Sequence, residues 1–293
     1  MDKNEVIFRL KYYCDNDKFD EAILFIDELI DNNCIFLDDA FIFLASQLNE
    51  NHQVHEKSYH LIKKGLRLFP DNMMLQLEMC LNYELRGFSK EAMDLCQQLT
   101  KEYPFSLELW YLQSELFHNC GDYEKAVASI DYAISCAIES ESDLTYILIF
   151  TKGQYLYKNE SYYQAISCFI ELTSFEEFSK AKVNPYLAEC YMRIGDYETA
   201  FDLLNKIIGQ KEIEDEIAYY GNLIYCCLHT GRQIVAVDIL ADALKLYPNT
   251  ILDYISTLNR IKKHQTEQDI QTEKNSYAGE LARKLFLNNT HYN

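Results

Sequence analysis

A chain of 293 residues with a formal net charge of −19 is a poor candidate for nucleic-acid binding, because a phosphate backbone is held chiefly by Lys and Arg. Nine glycines and four prolines leave little material for β-turns, and 48% hydrophobic residues are enough for a sizeable core. Residues 260–293 carry six basic and four acidic side chains, which leaves a net −21 on the first 259.

Along the chain one short pattern recurs seven times. Its most regular mark is a small residue at Ala22, Ser58, Ala92, Ala126, Ala165, Ala200 and Ala236, at steps of 36, 34, 34, 39, 35 and 36 residues. A period near 34 with a turn glycine about five residues before the alanine predicts stacked helix-turn-helix units. Some copies depart from the pattern. The second has Ser58 in the alanine slot, no turn glycine and a polar stretch from Asn49 to Glu56, which predicts a looser or longer turn between its helices. Tyr83, Gly87, Ala92 and Pro104 mark the third copy, and Trp110, Phe117, Gly121, Tyr123, Ala126, Ile130 and Ala133 the fourth. Gly153, Tyr162, Ala165 and Phe169 follow in the fifth. The turns Gly121-Asp122-Tyr123-Glu124-Lys125-Ala126 and Gly195-Asp196-Tyr197-Glu198-Thr199-Ala200 are close copies. In each, glycine can take the positive φ that closes one helix and aspartate can cap the next. The seventh copy has Gln233 where the aromatic belongs. Pro70, Pro104 and Pro248 stand twelve residues after an alanine slot, where the second helix must stop.

At these residues the chain resembles the tetratricopeptide repeat family, whose pattern is W-x2-L-G-x2-Y, then A, F and P. The resemblance covers residues 3–265 and implies an all-α, right-handed superhelix of about seven helix-turn-helix repeats, read as one elongated array with a capping helix. Residues 266–293 form a polar connector, Gln265 to Asn275, and a last helix carrying Ala278, Leu281, Ala282 and Leu285 at helical spacing.

Catalytic and metal chemistry find no motif. There is no Gly-rich phosphate loop and no G-x-S-x-G elbow. His52, His55, Glu56 and His60 do not fit a zinc-protease pattern, since His55 and His60 are five apart, about 140° around a helix. A polar loop accounts for them. The ten cysteines show no C-x-x-C pairing, and Cys80, Cys96, Cys190 and Cys227 fall at core-facing positions, where a free thiol behaves as a small hydrophobe. The reading is a non-enzyme without cofactor or metal, cytoplasmic, with no signal peptide after Met1 and no span of about 18 apolar residues.

In the resembled family the first helix of each pair lines the concave side and exposes its second, fifth, ninth, twelfth and thirteenth positions to a ligand. Carried over, the fifth positions include Phe43, Tyr111 and Phe150, and the ninth include Gln47, Glu115, Gln154, Glu189 and Tyr225, with Tyr157 at a twelfth. These nine residues are the candidate partner-binding set, for a peptide or protein segment docked in the groove. The Lys and Asn pair with which some members grip a C-terminal carboxylate is missing from every copy. Charge is uneven: Asp15, Glu50, Glu84, Glu108 and Glu115 lie in the first four repeats, and Lys158, Lys182 and Arg193 in the fifth and sixth. Two alternatives remain, a structural protein that self-associates through its last helix and a regulatory sensor of a small peptide or metabolite.

Overall fold

The computed structural model describes residues 2–173, 180–207, 215–247, 250–251 and 255. Among them are fourteen α-helices and no strand. They run in seven consecutive pairs: α1 (Lys3–Asp15) with α2 (Phe19–Asp31), α3 (Leu37–Glu50) with α4 (His55–Leu68), α5 (Met73–Leu85) with α6 (Ser89–Glu102), α7 (Leu107–Asn119) with α8 (Tyr123–Glu139), α9 (Thr145–Lys158) with α10 (Tyr162–Leu172), α11 (Lys180–Arg193) with α12 (Tyr197–Asn205), and α13 (Glu216–His229) with α14 (Gln233–Leu246). Backbone contacts group the chain into two compact units, Met1–Leu148 and Ile149–Asn293, with the boundary inside α9. The expected connector and last helix, 266–293, and Pro248 lie outside the described residues.

The small residue that sets the period is the tightest point of each pair. Ala22, Ser58, Ala92, Ala126, Ala165, Ala200 and Ala236 are all fully buried. Around them the N-terminal unit packs Val6, Leu10, Phe25, Ile26, Phe41, Leu44 and Leu48 into one cluster and Cys80, Cys96, Leu99, Leu109 and Leu116 into the next. The C-terminal unit does the same with Phe201, Leu204, Tyr219, Leu223, Leu240 and Ile255. Each large side chain so buried contributes about 1.5–3 kcal/mol. Cysteines share this role: Cys80, Cys96, Cys168, Cys190, Cys226 and Cys227 are buried thiols, and Cys120 is the exposed one.

Turns within pairs follow one design. In α5–α6 the Phe88 amide donates to the Tyr83 carbonyl and the Gly87 amide to Glu84; in α11–α12 the Asp196 amide donates to Tyr191 and Gly195 to Met192. These double bonds satisfy the last carbonyls of the first helix and need a left-handed residue. Glycine supplies it at 87, 121, 195 and 231, whereas Asp17 (φ 55°) and Glu160 (φ 58°) adopt it with a side chain attached. Exposed Glu160 therefore carries strain of about 1 kcal/mol, and Glu160→Gly should raise unfolding free energy by that amount in urea titration. Asp122 and Asp196 cap α8 and α12, accepting from the amides of Lys125 and Thr199 as the motif predicts. Pro70 and Pro104 follow two residues after the ends of α4 and α6.

The second pair is the exception that the sequence indicated. Its turn, residues 51–54, is one residue longer than the others and lacks the double bond. His55, Glu56 and His60 stand on α4, not in a loop; His60 pairs with Glu56 at 3.4 Å and His55 Nε2 lies 3.1 Å from the Asn49 carbonyl oxygen.

Candidate partner-binding faces

In the N-terminal unit α1, α3, α5 and α7 succeed one another as the first helices of their pairs, each packed on the next. Phe43 and Gln47 stand half-buried on α3, with Phe43 leaning on the core of that unit. The Gln47 amide donates to Glu50 at 3.4 Å. At the C-terminal ends of α1 and α3, Gln47 lines a cavity of about 430 Å³ together with Asp15, Asp17, Phe19, Glu50 and His52. On α7 the Tyr111 hydroxyl donates to the Glu115 carboxylate at 2.8 Å, so these two expected residues act as one polar pair. Between α3 and α7, α5 contributes Leu77, which is 7% exposed, and Glu84, which accepts from Asn119 of α7 at 3.2 Å.

Beneath this face lies a polar cluster that the repeat pattern does not announce. The Asn49 amide donates to the Glu78 carboxylate at 2.8 Å, and its oxygen accepts from Ser58 at 2.7 Å and from Asn82 at 2.9 Å. Asn82 also donates to the His55 carbonyl. Ser58 in place of alanine is thus a donor to a buried amide. Burial pushes the Glu78 carboxyl up to about 7, the Asn49 bond opposing and the Glu50 charge assisting.

In the C-terminal unit Gln154 and Tyr157 are half-buried on α9. Tyr157 accepts from Arg193 Nε of α11 at 3.2 Å and is hydrogen-bonded to Glu189. Glu189 in turn accepts from Asn222 of α13 at 3.1 Å, so three successive first helices meet at one carboxylate. Burial raises the Glu189 carboxyl and the Tyr157 hydroxyl above their ordinary values. Asn222 was not among the expected residues, and the repeat pattern gave no signal of it.

Two expected residues are committed elsewhere. Phe150 meets Tyr186 edge-on at 5.0 Å and Phe169 at 5.8 Å, as a packing residue of its unit. Tyr225 is 5% exposed, wedged between Tyr197 and His229 with ring centroids at 5.9 and 4.4 Å. The register places both on a first helix, but the large rings turn inward.

Residues 186–210, which hold the Gly195 turn and the Ala200 slot, match the tetratricopeptide repeat family. That stretch is similar to a tetratricopeptide repeat. Solved structures share the fold of the chain. PilW, a widely conserved type IV pilus biogenesis factor, superposes with a TM-score of 0.62 at 16% identity, over 76% of this chain and 98% of PilW. PilF of Pseudomonas aeruginosa gives 0.59 at 14%, over 76% and 97%. A tetratricopeptide repeat protein from Parabacteroides merdae ATCC 43184 gives 0.55 at 15%, over 86% and 97%. At such identities the likeness is one of fold. No curated protein matches the chain in sequence. No helix among the described residues is long and apolar enough to cross a membrane.

Proposed function

We propose that this protein is a non-catalytic adaptor that docks a peptide or protein segment on the face that the first helices present within a unit. The observation that carries the reading is the set of half-buried ring, amide and carboxylate side chains on those helices: Phe43, Gln47, Tyr111 and Glu115 in one unit, Gln154, Tyr157 and Glu189 in the other. Rigid rings lose little entropy on binding, and amides answer the main chain of an extended segment. A cytoplasmic location is assigned with it, on the six buried thiols packed as small apolar residues.

The test is affinity capture from the source cell with the wild type, a Gln47→Ala/Tyr111→Ala variant and a Gln154→Ala/Tyr157→Phe variant, each shown to fold by circular dichroism. A protein held by the wild type should be lost from at least one of them. Identical captures from all three would move the partner off the first-helix face.

A further inference from the structure

Twelve residues before the small slot of a repeat and four residues after it, the two helices of a pair face one another. In α9–α10 these positions are Gly153 and Phe169, which meet so closely that a Cβ on Gly153 would lie 2.6 Å from the ring. In α11–α12 they are Ala188 and Leu204, both fully buried. In α5–α6 they are Cys80 and Cys96. Both of these thiols are fully buried in one apolar cluster, and they are hydrogen-bonded to each other. The Cys96 thiol donates onward to the Leu109 carbonyl of α7 at 3.6 Å. With one proton on each sulfur, Cys80 is therefore the donor between the two.

A glycine with a phenylalanine, or an alanine with a leucine, fills that crossing equally well, so packing alone does not call for sulfur on both helices. Two thiols in contact have a covalent option that those pairs lack. Cys226 and Cys227, by contrast, are neighbours on one helix.

We propose that Cys80 and Cys96 are a reversible oxidation site, at which a small-molecule disulfide such as oxidised glutathione cross-links α5 to α6. One cysteine of the pair, as its thiolate, attacks the small disulfide and releases the first small thiol. The other, deprotonated in turn, attacks the mixed disulfide and releases the second. One S–S bond breaks and one forms: the pair gives up two protons and two electrons, and the small disulfide leaves as two thiols. In the closed pair the Cys96 contact and burial hold the Cys80 thiol above its ordinary value, and so protonated. Exchange accordingly proceeds when α5 and α6 part, and reclosure brings the second sulfur onto the first. In a reducing compartment such a bond is transient and reports the redox state. Because α5 packs on both α3 and α7, the bridge fixes the middle of the first-helix face, between Gln47 and Tyr111. The site goes beyond the docking reading and does not depend on it.

The test exposes the reduced full chain, under native conditions, to glutathione buffers of rising oxidised share, followed by acid quenching, alkylation of free thiols and peptide mapping by mass spectrometry. Expected is a linked pair of peptides holding Cys80 and Cys96, lost again on reduction, with glutathione on the exposed Cys120 as the comparison. The bridge closes a segment of sixteen residues, so amide exchange in α5 and α6 should slow by about tenfold or more and thermal melting should rise. Cys80→Ala, which places there the residue that α11 uses, and Cys96→Ser should each abolish both effects of oxidation; Cys120→Ser should keep them. The proposal is overturned if Cys80 and Cys96 stay free, or carry glutathione singly, in buffers that modify Cys120. A bridge that forms only in urea, or one that lowers the melting temperature, would overturn it as well, since the native crossing would then not be built to accept the bond.

Discussion

Glu78→Gln is expected to stabilise the protein above pH 7, by up to about 3 kcal/mol, and to change little below pH 4.5. In the fold this residue is 6% exposed and its carboxylate accepts from the Asn49 amide, with no cation among its partners. Its protonation is therefore favoured, and its value rises from 4.5 to about 7. Below 4.5 the folded and unfolded chains both hold the proton, and the environment costs nothing. Between 4.5 and 7 the unfolded chain releases the proton while the folded chain keeps it, so folding stability falls as pH rises. Above 7 the deficit is complete and constant. A glutamine keeps the acceptor for Asn49 and never ionises, which removes the deficit; the ceiling is the full difference at about 1.4 kcal/mol per tenfold. Urea titrations of both proteins at pH 4.5, 6 and 8 would show curves that diverge with pH. A variant no more stable than wild type at pH 8 would mean that the Asn49 bond holds an ionised carboxylate in place.

Phe169→Ala should cost about 3–5 kcal/mol in the C-terminal unit. The ring is fully buried, edge-on to Phe150 at 5.8 Å and stacked on Tyr186 at 5.8 Å. It also rests against the bare backbone of Gly153: a Cβ there would lie 2.6 and 2.8 Å from two ring carbons, inside any tolerable contact. Gly153→Ala alone gains about 1 kcal/mol of helix propensity but overpacks at about 1–3 kcal/mol, so it should be neutral to destabilising. Combined with Phe169→Leu it should cost less than the sum of the two, because both act on one space. Hydrogen exchange would locate the loss in α9 and α10. Strict additivity would show that the ring and the glycine do not share that space.

What the sequence disclosed divides by physics. Period, turn chemistry and the small residue at the crossing are backbone requirements repeated seven times, and repetition makes them readable. The Asp122 and Asp196 caps, the Gly195 turn and the fully buried Ala200 all stand where the pattern puts them. Side-chain direction is not repeated. Phe150 stands at the fifth position from which Tyr111 reaches a polar partner, and Tyr225 at a ninth, but each packs on neighbouring rings. Ser58 looks like a defect in the motif until Asn49 is seen beside it, and that pairing joins residues nine apart across an atypical turn. Glu78, Asn82 and Asn222 are polar residues on largely apolar helices, and their significance appears only when the next helix supplies the other half of each bond.

Within each unit the extensive contacts reach only the next helix or the one after it. Ordering any pair therefore closes a chain segment of a few dozen residues, whatever the total length. Loop-closure entropy stays small at every step, and collapse can begin at any well-formed hairpin and spread outward. Refolding should thus be governed by local hairpins, with no single obligatory nucleus. Gain or loss of a whole repeat leaves every remaining interface with a neighbour of familiar shape, so the length of such a surface can change in evolution without the fold being reinvented.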